Sequence, residues 1–211
     1  FYETNVGAGL PIVRVLKDLM LSGDRLLKVE AILSGTISYI FNNFRGDASF
    51  YEVVKHAQAL GYTEPDPRDD LGGIDFMRKM LILARDAGNV LEPEDVDLGP
   101  ILPEACLQAT SVDDFYTQLL KAEQFFNDLK SSAEQQDKVL RYIGKLEDGK
   151  VAISLQMVDA QHPFYALSGS DNIISFTTER YKERPLVVKG PGAGGEVTAA
   201  GVFADLVNVG A

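Results

Sequence analysis

The amino-acid sequence predicts an α+β fold, with helices packed on a mixed, largely antiparallel sheet. Three observations point there. Helical patterning with recognisable caps fills the first two thirds of the chain. Two β-rich runs flank Asp148-Gly149, a strong hairpin signal. Helices and strands are grouped rather than alternating, which separates this class from a doubly wound parallel sheet.

The elements follow in order. Pro11 suits the first turn of a helix running to about Met20, closed by Gly23. Leu26 to Leu33 alternates as a strand. The break at Ser34-Gly35-Thr36 opens a helix through Phe44. Ser49, with Glu52 three residues on, reads as a capping box for a helix that Gly61 ends. A longer helix is expected from about Leu71 to Ala87, with Asp69 or Asp70 as its N-cap. Two more are expected near Val112–Lys121 and Glu123–Asp137. The hairpin strands are Val139–Glu147 and Lys150–Val158. Strands at Ile173–Thr178 and Leu186–Val188 precede a last helix, Glu196–Val207.

Composition narrows the function. The chain has 211 residues, of which 45% are apolar, enough to build a core and too many for disorder. A net charge of −11 with no Lys/Arg run excludes binding to a nucleic-acid backbone. Apolar runs such as Met80–Ala84 are too short to cross a bilayer, so no membrane partner is expected. Cys106 is the single cysteine, which fits a reducing cytoplasm. His56 and His162 are isolated and make no zinc spacing. The opening "FYETNVGAGLP" lacks an initiator Met, as expected for part of a longer protein.

Near the C-terminus, "LVVKGPGAGGEVTAAGVFADL" places Gly190, Gly192 and Gly195 at G-x-G-x-x-G spacing. A self-contained dinucleotide site also needs a second strand bearing an acidic residue about 20 positions on. No such strand follows, and Glu196 at the helix start repels phosphate. A strand, a glycine turn and a terminal helix are expected instead.

The densest polar stretch is "GYTEPDPRDDLGGIDFMRKMLILARDAG", Gly61–Gly88. Pro65 and Pro67 push Glu64 and Asp66 into extended conformations, making a stiff loop that presents carboxylates. Seven of the nine residues from Phe76 to Ala84 are apolar, so that helix should be buried. Asp75 and Lys79 stand i,i+4 on it and meet. Bland alternatives stand beside the functional ones: a partly exposed ion pair, a solvated Glu64, capping by Asp69 or Asp70, or a carboxylate site for Mg²⁺. "SGT" at Ser34–Thr36 either offers N–H groups to a substrate carboxylate or only caps a helix. "ETNVGAGL" combines Glu3 with glycine-exposed carbonyls, and is either a small-cation site or a plain loop.

Together, "YETNVGAGLP", "ILSGTISYIFNNF", "GYTEPDPRDDLGGIDFMRK", "SGSDNII" and "GPGAGGEVTAAGVFADL" closely resemble homoserine dehydrogenase. The likeness is greatest to the homoserine dehydrogenase part of the bifunctional aspartokinase–homoserine dehydrogenases. Asn5 departs from the family's small or hydroxyl residues, and "FMRK" replaces its usual "VARK". The resemblance implies NAD(P)-dependent interconversion of L-homoserine and L-aspartate 4-semialdehyde, toward threonine, methionine and isoleucine. It makes Lys79 the proton donor and acceptor, with Asp75 holding the reacting end. It gives the substrate ammonium to Glu64, lines the pocket with Gly35, Thr36, Tyr62 and Asp70, and sets Gly194 beside NADP or NAD. It also implies a Na⁺ or K⁺ site at Glu3 and the backbone of Val6, Ala8 and Leu10.

On this resemblance, residues 1–190 form a substrate-binding and dimerisation domain. Residues 191–211 return to a nucleotide-binding domain lying upstream, without which the chain is expected to be inactive. A homodimer and an attached aspartokinase domain are further implied partners. The rival reading is a non-catalytic dimerisation or amino-acid-sensing module. Lysine is an ammonium at neutral pH, a form that a neighbouring carboxylate favours. Aldehyde reduction therefore suits it, and homoserine oxidation is expected to run better at alkaline pH; a flat profile with chemistry rate-limiting would count against this.

Overall fold

The computed structural model describes residues 1–210. Six strands, β1 (Leu26–Ile32), β2 (Asp97–Leu98), β3 (Val139–Glu147), β4 (Lys150–Val158), β5 (Asp171–Thr178) and β6 (Leu186–Pro191), form one sheet. Their order is β2-β4-β3-β1-β5-β6, and only the β2–β4 pairing is parallel. The hairpin of β3 and β4 falls where Asp148-Gly149 places it, with both turn residues at positive φ.

Strand period two decides what each face does. From β1, Val29 and Ala31 turn into the main core with Tyr142, Leu146, Ile174 and Phe176, under the helices. Ile32, Ile143 and Ile173 point the other way, into a smaller core closed by Phe164 and Leu167. The helical layer comprises α1 (Ile12–Leu21), α2 (Gly35–Asn43), α3 (Phe50–Ala59), α4 (Pro67–Leu71), α5 (Ile74–Asp86), α6 (Glu104–Leu107), α7 (Val112–Lys121), α8 (Glu123–Glu134) and α9 (Gly195–Val209). No helix among the described residues is long and apolar enough to cross a membrane.

Two expectations are corrected and a third is extended. The long helix expected from Leu71 is two helices, α4 and α5, because Gly73 adopts φ +73 and turns the chain between them. The cap is neither Asp69 nor Asp70: Asp66 accepts the Arg68 N–H at 3.0 Å and opens α4. The start of α3 draws on tertiary contact as well as on Ser49, whose Oγ accepts the Glu52 N–H at 3.3 Å. The carboxylate of Glu123, on α8, accepts the N–H groups of Phe50 and Tyr51.

Arg141 on β3 is 2% exposed and no carboxylate meets it among the described residues. Its guanidinium donates to the carbonyls of Leu140, Phe164, Tyr165 and Leu167. Burial pulls its pKa down to about 10. These bonds pin the segment after β4 to the sheet, and Ser38 and Asn42 of α2 bond the carbonyls of Asp171 and Gly169 just beyond it.

Candidate active site

The site is built where β1 ends and α2 and α5 begin. Ser34 caps α2, its Oγ accepting the Ile37 N–H at 3.2 Å. One residue earlier, the Leu33 carbonyl accepts a hydrogen bond from Lys79 Nζ at 3.0 Å. The same ammonium pairs with Asp75 Oδ2 at 2.8 Å. Helix α5 can hold Lys79 there because Phe76 and Met80 lock the neighbouring face into the core, Met80 lying over Gly144 of β3. The pair is not buried whole. The Lys79 side chain is 21% exposed and Asp75 67%, so the lysine is mostly covered while its partner is largely open to solvent.

The stiff acidic loop lies across from it. Asp70 Oδ2 accepts the Glu64 N–H at 2.8 Å, and Asp70 Oδ1 lies 3.0 Å from Thr36 Oγ1. Thr36 Oγ1 is also 2.5 Å from the Tyr62 carbonyl. A threonine has one hydroxyl hydrogen and cannot give it to both. Burial raises the Asp70 pKa against the pull of the Glu64 N–H and Thr36 bonds, and the nearby Glu64 and Asp69 carboxylates raise it further. The Tyr62 ring stacks on Tyr39 with centroids 4.4 Å apart. Among the described residues the Glu64 carboxylate has no polar partner, so it is available to a cation. An open cleft of about 570 Å³ lies between Ser34, Glu64, Asp69, Asp70, Asp75 and Arg78. Arg68, also lining it, is tied to Asp66 at 2.5 Å and holds that carboxyl below the usual range.

A family model described as homoserine dehydrogenase matches residues 11–207. The chain belongs to the homoserine dehydrogenase family. It is 49% identical over 211 residues to a chloroplastic bifunctional aspartokinase/homoserine dehydrogenase 2 of Zea mays, covering 99% of the chain and 23% of the maize protein. It is 45% identical over 216 residues to a homoserine dehydrogenase of Schizosaccharomyces pombe, covering 99% of the chain and 57% of that protein. A solved structure named as a putative homoserine dehydrogenase from Archaeoglobus fulgidus superposes with a TM-score of 0.78 at 28% identity, covering 99% of this chain and 58% of that one. The chain thus spans less than two thirds of the length of these relatives.

Within this member of the family, Lys79, Asp75, Glu64, Thr36, Tyr62, Asp70 and Gly35 gather at one end of the sheet. The loop around Glu3 lies apart from this cleft. The Glu3 carboxylate is buried and accepts the N–H groups of Val13 and Arg14, each at 2.8 Å, so it caps α1 from ten residues upstream. The Leu10 carbonyl accepts the Ile12 N–H at 2.8 Å, and Ala8 is held at φ +52. Gly194 is the N-cap of α9 at φ +123, with no side-chain cap on that helix. It follows β6 at the same end of the sheet as Leu33, because the end of β6 and the end of β1 both pair with the start of β5. Two buried polar residues, Arg141 and Asn172, were not legible as special in the sequence. Their importance lies in partners far along the chain.

Proposed function

We propose that this chain is the substrate-binding and catalytic portion of a homoserine dehydrogenase, interconverting L-aspartate 4-semialdehyde and L-homoserine with NAD(P)H. One observation carries the reading: an ammonium held by the Leu33 carbonyl and the Asp75 carboxylate, with Asp75 and the unpartnered Glu64 lining one acidic cleft. In reduction, Lys79 Nζ gives its proton to the developing alkoxide oxygen, while Asp75 keeps the ammonium aimed and contacts the same end of the substrate. Glu64 takes the substrate ammonium. The Asp70–Thr36–Tyr62 bonds keep the Glu64 loop at a fixed distance from Lys79. A bound nicotinamide supplies the hydride to the aldehyde carbon, which with the lysine proton completes the alcohol.

The residues present fit that cofactor along one edge only. The first N–H groups of α9 lack a side-chain cap, and open space surrounds the Cβ position of Gly195. The nucleotide-binding domain would be supplied elsewhere in the parent protein, in keeping with this chain spanning 57% of the fission yeast relative. Residues 191–211 would then serve as the segment facing it: Val202, Phe203, Leu206 and Val207 of α9 are exposed. At Glu3, a monovalent cation would compete with the α1 cap for carboxylate lone pairs, with carbonyls of Val6, Ala8 and Leu10 completing the oxygen set.

The test is homoserine-dependent NAD(P)H formation by the full-length protein, wild type against Lys79→Ala. Turnover lost in a folded variant supports the reading. A folded wild type without homoserine-dependent turnover would overturn it and favour a dimerisation or sensing module.

A further inference from the structure

Asn172 on β5 is 1% exposed, and its Oδ1 has no hydrogen-bond partner among the described residues. A buried amide oxygen left unpaired is costly, and native structures rarely tolerate one without a reason. Its surroundings supply the reason. Asn172 pairs with Gly190 across the β5–β6 ladder, and one step past Ile32↔Ile173 the same register sets it beside Leu33, the residue that anchors Lys79. By strand alternation its side chain faces the helix side with Ile174 and Phe176. There it lies flat against Gly192: a Cβ on that glycine would stand 1.9 Å from Asn172 Nδ2 and 2.0 Å from Cγ. Gly192 therefore has to be glycine because of Asn172. Two residues on, Gly194 opens α9 with no side-chain cap.

Resting on the dehydrogenase reading above, we propose that Asn172 is a positioning residue for the nicotinamide cofactor. Its amide sets the height of the Gly192–Gly194 turn over the sheet edge, and its Oδ1 accepts a backbone N–H of that turn when the dinucleotide is bound. The turn is thereby held in register with Leu33 and Lys79, so that cofactor and proton donor are placed by two neighbouring strands. Asn172 touches the turn and acts on the cofactor through it.

The experiment measures NADPH affinity of the full-length protein by the fluorescence of the bound reduced nicotinamide, which needs no turnover. Wild type, Asn172→Ala, Gly192→Ala and the double variant are compared, together with melting temperature and the KM for homoserine. Loss of one positioning hydrogen bond predicts a Kd for NADPH about 3- to 10-fold weaker in Asn172→Ala. The homoserine KM should stay close to wild type. Gly192→Ala should weaken NADPH in the same way, and the double variant should be no worse than the weaker single one, since removing the amide makes room for the methyl. A lowered melting temperature with unchanged NADPH affinity would overturn the proposal and leave Asn172 a packing residue. Should Asn172→Ala fail to fold, Gly192→Ala decides alone, and unchanged affinity there also overturns it. If the wild type binds no NADPH and does not oxidise homoserine, the dehydrogenase reading falls and this inference falls with it. If the wild type does both, only the role of Asn172 is at stake.

Discussion

Helices α5 and α9 both begin at a glycine of positive φ, yet they are opposites. Gly73 is closed in: a Cβ there would meet Tyr142 Oη at 2.9 Å, and that hydroxyl is itself committed to the Gly99 carbonyl at 2.7 Å. From this fixed start α5 runs with Phe76, Met77, Met80, Leu81, Leu83 and Ala84 buried. Gly194 has only a Val197 methyl near its Cβ position, Gly195 has nothing, and Gly201 alone of α9 is buried. Gly201 against Thr4 and Gly9, Val197 against Gly9, and Asp205 accepting the Glu3 N–H tie α9 to the loop near Glu3. One helix is enclosed on most sides, and it carries Lys79, the proposed proton donor. The other is held along one stripe and shows its apolar side chains outward. On the proposed function, the contrast makes sense: a catalytic group needs over-determined placement, whereas a surface facing another domain needs only a hinge and an exposed face.

The sharpest way to break this contrast is at Lys79. In the full-length protein, Lys79→Ala should lower kcat on the order of 10²- to 10⁴-fold while leaving NADPH affinity near wild type. Steady-state rates alongside fluorescence titration would check it, and a comparable loss of cofactor binding would mean that the two regions are not separate. Next comes the glycine itself. Gly73→Ala forces an L-residue into a left-handed conformation against Tyr142 and should cost roughly 1–2 kcal/mol or more in urea unfolding.

A smaller, pH-dependent effect is expected at Asp70. Its pKa is raised in the fold by burial. The folded carboxyl binds its proton more tightly than the unfolded one, so its contribution to stability is full below the unfolded value of ~3.9 and is lost as pH rises through the folded value. Asp70→Asn should flatten that part of the stability profile, and an unaltered slope in unfolding experiments across acidic pH would rule out burial as the cause. Smallest of all, Gly195→Ala meets no atoms and requires no special backbone. It should leave stability within about 0.5 kcal/mol, and a large loss in a melting experiment would show that the start of α9 is as tightly enclosed as that of α5.

Local signals in the sequence were reliable where the partners are local. The Asp148-Gly149 hairpin, the Ser34 cap and the Asp75–Lys79 spacing each join residues within a few positions, and the structure places them as the spacing requires. Strand β2 escaped notice because two residues carry no periodicity, and its place beside β4 comes from the docking of the segment after α5. Glu3 and Asp70 were legible as carboxylates of interest. That one caps α1 and the other bridges Thr36 to the Glu64 loop was not.

By itself, the sequence determined the order and type of most elements, the acidic loop, the i,i+4 pair and the likeness to homoserine dehydrogenases. Backbone preference, periodicity and short-range hydrogen bonding act between residues close in the chain. Only the tertiary structure decided that Lys79 reaches Leu33 across 46 positions, that the Arg141 guanidinium donates to carbonyls alone, and that Asn172 Oδ1 lies unpaired beside Gly192. Burial and register set those relations, and both arise when strands far apart in sequence are brought side by side in one sheet.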